Sequence, residues 1–147
     1  MSTPFESAQL ILELYELRRD PTLRQARHWF VREFHPETLD DVLAALAGEQ
    51  SAWLRMVLGY WDMAAALVAH GAIDRDMFLD TNAEMIATFA KIEPLLEALR
   101  ERRGNPAFAR HLEDLVRSIP GHEERLERLR TQFRPAGATS SPTADRP

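Results

Sequence analysis

A chain of 147 residues with 45% hydrophobic and 28% charged side chains is the size of one ordinary domain and carries enough apolar surface to fold without covalent staples. It has no cysteine, which excludes disulfide frameworks, thiolate metal sites, iron–sulfur clusters and cysteine nucleophiles, and fits a reducing, cytoplasmic setting. A formal charge of -5 argues against nucleic acid, which is held by a basic face that releases counterions from phosphates.

The first residues, Met1 to Gln9, lack the basic start and apolar stretch of a secretory signal. The longest apolar run, between Asp62 and Asp74, contains His70 and Gly71 and falls far short of the roughly 20 residues that cross a bilayer. No membrane span is expected.

Apolar residues recur at helical spacing throughout, with no strand-like alternation, and Pro and Gly fall where helices begin or end. Thr3-Pro4-Phe5-Glu6 opens a first helix to about Arg19: Thr3 is placed to cap, Pro4 suits the first turn and Glu6 completes a capping box. Phe5, Ala8, Ile11, Leu12 and Tyr15 form its apolar stripe, widened by Leu14 and Leu17. Asp20-Pro21 opens a second helix whose Leu23, Ala26, Phe30 and Phe34 face inward until Pro36. Thr38 caps a short third helix that ends at Gly48, a residue suited to a left-handed cap.

The fourth helix, about Glu49 to His70, is apolar nearly all round and therefore central. Gly59 within it implies close approach of another helix. Asp74 caps a short fifth helix, and Thr81 or Asn82 starts a long sixth one, where Pro94 either kinks the helix, the preferred reading, or divides it near Glu93. Asn105-Pro106 starts a seventh helix. Pro120-Gly121 precedes an eighth with a thin Leu126, Leu129, Phe133 stripe, and residues 134–147 carry no large apolar side chain. The expected organisation is an all-α, compact single-domain bundle of about six to eight helices over residues 1–133, followed by a disordered tail over 134–147.

Chemistry is sparse in this pattern. None of the five histidines pairs with another at i, i+3 or i+4, there is no HExxH string, and neither a metal site nor a cofactor is expected. No GxSxG elbow or phosphate-cradling glycine loop occurs. Arg18, Arg19, Arg24, Arg27 and Arg32 cluster, but Asp20 and Glu33 interrupt them, and a solvated helix face is the preferred reading over an anion groove. Trp61, Tyr60 and Trp29 are candidates for the wall of a pocket, although aromatics at helical spacing usually build core.

The most informative residue is Asp62, flanked on every side by apolar residues in LGYWDMAAALVA. A carboxylate in a central helix needs a partner, and Arg100, Arg27 and Arg55 are the candidates, so these four form a possible polar cluster, structural or ligand-binding.

Two stretches, ILELYELRRDPTLRQARHWF and LGYWDMAAALVAHGAIDRDMFLDTNAEMIATFAKIEPLLEALRERRGNPAFARHLEDLV, resemble a bacterial family of small helical domains of unknown function. On this likeness Asp62, Gly71, Asp74, Pro94, Arg100 and Pro106 occupy the family's recurring positions. Members are often found behind an N-terminal membrane helix, which this sequence does not show, and the resemblance implies a fold and no activity.

The function expected from the sequence is a non-catalytic module for protein interaction or scaffolding, self-association included. The alternative is a small-ligand site lined by Trp61 and Tyr60, with Arg27 or Arg100 holding an acid. An enzyme using Asp62 as general base ranks last, since no poised partner accompanies it. A chain truncated before Arg134 is expected to unfold in urea at the same midpoint as the full chain, and a loss above about 1 kcal/mol would mean the tail docks.

Overall fold

In the computed structural model, which describes residues 1–133, the start signals of the sequence operate as hydrogen bonds. The Glu6 N–H donates to Thr3 Oγ1 at 3.2 Å and the Thr3 N–H donates to the Glu6 carboxylate at 2.8 Å, a closed capping box before α1 (Pro4–Arg18). The Asp20 carboxylate accepts from Thr22 and Leu23 N–H before α2 (Pro21–Arg32). Thr38 and Asp41 close a second box before α3 (Leu39–Ala47), and Asp74 accepts from Met77 N–H before α5 (Arg75–Thr81). With α4 (Ser51–Ala69), α6 (Glu84–Arg103), α7 (Arg110–Arg117) and α8 (His122–Phe133), the described residues form eight helices and no strand, an all-α bundle. The tail expected at 134–147 lies outside the described residues.

Two long helices carry the core. α4 buries Leu54, Val57, Leu58, Trp61, Ala64 and Ala65 between α2 on one side and α7 on the other. α6 buries Met85, Ile86, Phe89, Ile92, Leu96 and Leu99 against α8, α7 and α3. Trp61, Phe30, Phe78 and Phe89 are completely enclosed, each such side chain contributing about 1.5–3 kcal/mol relative to exposure.

α6 begins at Glu84 rather than at Thr81 or Asn82, because both of those side chains turn back onto α5: Thr81 Oγ1 donates to Met77 O and Asn82 Nδ2 donates to Phe78 O. The helix then passes through Pro94 without a break. Proline has no N–H for the carbonyl four residues back. That carbonyl, Ala90 O, instead accepts from Arg130 of α8 at 3.1 Å. Gly48 sits at φ -96 and is not left-handed. Gly59 faces solvent, and a Cβ there would meet nothing within 4 Å, so no helix approaches it and the close contact expected of it does not exist.

α1 departs furthest from the sequence expectation. Its buried side chains are Ser7 and Leu14, while Phe5, Leu12, Tyr15 and Leu17 stand more than half exposed. Two fixed points seat it this way: Ser7 Oγ accepts from the Asp74 N–H at 2.9 Å, and the Tyr60 hydroxyl donates to Leu14 O at 2.6 Å.

Of the 18 Lys and Arg residues only Lys91 is a lysine, and it is buried in α6. Its Nζ donates to Phe30 O, Val31 O and Phe34 O, at 2.5, 3.0 and 2.8 Å, closing the C-terminal end of α2. Three tetrahedral N–H groups match three converging carbonyls, which a planar guanidinium does not. The Phe30 and Phe133 rings lie 5.3 and 4.6 Å from the same nitrogen. Burial pushes the Lys91 pKa from 10.5 down to about 8, so the amine is still charged at neutral pH.

Lys91→Met should lower stability by about 1–3 kcal/mol in urea denaturation, the cost of stranding buried acceptors, and Lys91→Arg should not restore it. The pH dependence has a defined sign. Between pH 8 and 10 the unfolded chain keeps the Lys91 proton that the folded chain releases, so wild-type stability should rise relative to Lys91→Met as pH increases. In the absolute stability of both proteins a falling slope sets in above pH 10, because burial pushes the Tyr60 hydroxyl up to about 12 and the unfolded tyrosine ionises first; it cancels from the difference between them. A stability difference that stays flat from pH 8 to 10 would show that Lys91 titrates as a free amine.

Candidate functional site

The polar cluster expected around Asp62 is divided among three places. Asp62 is half-buried on α4 and its Oδ1 accepts the Leu112 N–H of α7 at 2.9 Å. The reason lies in α7 itself: its N-cap residue is Ala109, held at φ 54 and without a capping side chain, so the first turn has N–H groups to satisfy. Asp62 supplies the missing cap from a neighbouring helix and also faces the positive end of the α7 dipole.

Arg100, the partner expected for Asp62, is instead bound to Glu113 of α7, with Nη2 and Oε2 2.6 Å apart and the two side chains 3% and 7% exposed. The N–H direction is off line with that oxygen, so the contact is ionic rather than an aligned hydrogen bond. Arg100 Nε donates to Phe108 O at 2.9 Å and Nη1 to Glu97 at 2.8 Å. Arg117 reaches the other Glu113 oxygen at 3.2 Å. Arg27 pairs with Glu84 through Nε and Nη2, at 2.9 and 2.5 Å, and Glu84 raises its pKa further above the arginine range. Arg55 is exposed and makes no ion pair among the described residues. None of the three arginines is bonded to Asp62.

The expected pocket aromatics separate likewise. Trp61 is fully enclosed, with the Tyr60 ring edge-on at 4.9 Å and the Arg18 guanidinium 5.5 Å from its ring centre. Tyr60 spends its hydroxyl on Leu14 O. Both are core. Trp29 stacks on Phe34 at 4.8 Å, approaches Trp53 at 6.2 Å, and lines a surface groove of about 910 Å³. Arg24, Arg27, His28, Arg32, Trp53, Glu84 and Phe133 complete most of that groove, with the Arg27–Glu84 pair inside it.

Sequence reasoning missed Glu113 and Glu84 as the carboxylates that engage Arg100 and Arg27. Only the i, i+4 spacing of Glu113 and Arg117 signalled one of them. It also missed that α7 brings His111 within 6.0 Å of His70, ring centre to ring centre. Among the described residues no group of three or more His, Asp or Glu gathers in a geometry that would hold a metal ion. No described helix is long and apolar enough to cross a membrane.

What remains unspent on the surface is the outer side of α1. Phe5, Ala8, Leu12 and Tyr15 follow one another at spacings of 4 or 3 residues and so share a face. Phe5, Leu12 and Tyr15 are 71%, 67% and 53% exposed, and the face lies beside the one that carries Ser7 and Leu14 inward. The sequence did contain a signal for it: α1 has apolar residues around most of its circumference, more than a peripheral helix can bury.

A model of a protein family described as "Domain of unknown function (DUF4760)" matches residues 4–119. No curated protein and no solved structure matches the chain.

The redistribution of partners sets the cost of each substitution. Asp62→Ala removes a cap and should cost about 1 kcal/mol. Arg100→Ala leaves the buried Glu113 carboxylate only the more exposed Arg110 and Arg117 and should cost more than Asp62→Ala, up to about 3–5 kcal/mol. A double-mutant cycle in urea should give a coupling of at least about 0.5 kcal/mol for Arg100 with Glu113 and nearly none for Arg100 with Asp62. The reverse order of couplings would return Asp62 to the arginine.

Proposed function

Because the chain belongs to the DUF4760 family, whose description carries no activity, we propose from its geometry that it is a non-catalytic protein-interaction module whose binding surface is the outer face of α1. The observation that carries this is the seam of exposed Phe5, Leu12 and Tyr15, with half-buried Ala8 between them. Its 3–4–3 spacing is that of a helix packed against another helix, and large apolar side chains in a contiguous row mark interaction sites more often than isolated ones do. The occupant that fits is a helix with an apolar stripe of its own.

The rival readings have less support. A small-ligand site built on Trp61 and Tyr60 meets side chains already spent on the core. A general base at Asp62 meets a carboxylate already engaged by the Leu112 N–H. A cytoplasmic setting is supported by the cysteine-free composition, and a bacterial source by the resemblance of its two long sequence stretches.

Leu12→Glu places a charge in the middle of the seam without touching the core. It should leave the urea midpoint within about 0.5 kcal/mol of wild type, as exposed positions do. Native mass spectrometry of protein purified from its own host should then show wild type holding a second chain, its own copy or another protein, and Leu12→Glu without it. Monomer alone in both, or an assembly that Leu12→Glu leaves intact, would rule out the α1 face.

A further inference from the structure

Four of the arginines near the α1–α2 turn converge on one pocket. Arg18 and Arg19 at the end of α1 and Arg24 and Arg27 on α2 surround, together with Tyr15, a pocket of about 410 Å³ whose lining contains no carboxylate. Arg18 and Arg27 share the single carboxylate of Glu84, at 3.8 and 2.5 Å. Arg19 pairs with Glu16 at 3.2 Å, and Arg24 has no ion-pair partner among the described residues. Against four guanidiniums, direct ion pairs thus supply two carboxylates, neither of which lines the pocket, on a chain whose overall charge is -5.

The nearby acids make no ion pair with Arg24. Glu13, Glu16 and Asp20 line a neighbouring depression that shares Arg19 and Arg24 with this pocket, but none of them lines the pocket itself, and Asp20 accepts from the N–H groups of Thr22 and Leu23. Arg18 is held firmly in the wall. Its guanidinium lies 5.3 Å from the centre of the Tyr15 ring, and its buried Nε has no hydrogen-bond acceptor. Arg27 Nη1 donates to Arg18 O at 3.3 Å, which ties the two walls together.

We infer that this pocket is an oxyanion site that takes a phosphate group. A phosphate monoester carries about two negative charges near neutral pH and several strong acceptor oxygens, which matches a pocket lined by four arginines and no carboxylate and the forked donors of arginine. The inference is independent of the apolar seam on α1.

Isothermal titration calorimetry tests it with three probes at low salt: inorganic phosphate, a short glycine-flanked phosphoserine peptide, and the same peptide unphosphorylated. Phosphate and the phosphopeptide should bind saturably at one site, more weakly as salt rises, and the unphosphorylated peptide should not bind. Arg24→Ala, an exposed position, should weaken binding at least tenfold, about 1.4 kcal/mol, while Arg102→Ala at the far end of α6 should change nothing. A phosphopeptide at least tenfold tighter than free phosphate identifies a phosphorylated side chain as the source, and equal affinities identify the free ion. No saturable binding by either, or binding that Arg24→Ala and Arg19→Ala both leave unchanged, overturns the site. Thermal melts by circular dichroism confirm that each variant is folded.

Discussion

A bundle of eight short and medium helices has sixteen ends, each exposing backbone groups that must find partners, and this constraint shapes the molecule more than any single apolar contact. Four helix starts are satisfied locally by Thr3, Asp20, Thr38 and Asp74. Some of the other ends draw on side chains from elsewhere in the chain. Asp62 of α4 caps α7, Lys91 of α6 closes α2, and Arg75 of α5 donates to Ser118 O at the end of α7. Arg130 of α8 serves the carbonyl that Pro94 leaves open. Each of these bonds fixes the relative position of two helices, and apolar packing alone does not fix it, because it is insensitive to small rotations.

This way of tying helices together accounts for the placement of charge. Buried ionic groups are costly unless paired, and here the enclosed ones are engaged: Arg100 with Glu113, and Lys91 with three carbonyls. Both sit on α6, so one helix anchors α2, α7 and α8 around itself. The carboxylate and amine groups that might have been read as reactive are therefore consumed by architecture. On the surface, α1 leaves an apolar seam and the turn after it gathers arginines around one pocket. The two features adjoin at Tyr15, which borders both.

Local chemistry made much of this legible in advance. The capping residues, the continuous apolar character of α4, and the glycine stops at Gly71 and Gly104, both at positive φ, follow from interactions within a few residues. Those interactions are short-range, so the sequence alone determines them. Fold class and helix number belong to the same category.

Partner choice did not. That Asp62 needed a partner was readable from its apolar flanks, but the partner is a backbone N–H fifty residues away, exposed because Ala109 adopts a left-handed conformation that no residue pattern announced. Likewise the apolar residues of α1 foretold burial, yet which side was buried depended on Ser7 meeting Asp74 and Leu14 meeting Tyr60. The sequence by itself determined where helices start, stop and are apolar, because those are properties of neighbours along the chain. Only the tertiary structure decided which charge meets which and which apolar face stays outside, because those depend on distances between helices that no local spacing encodes.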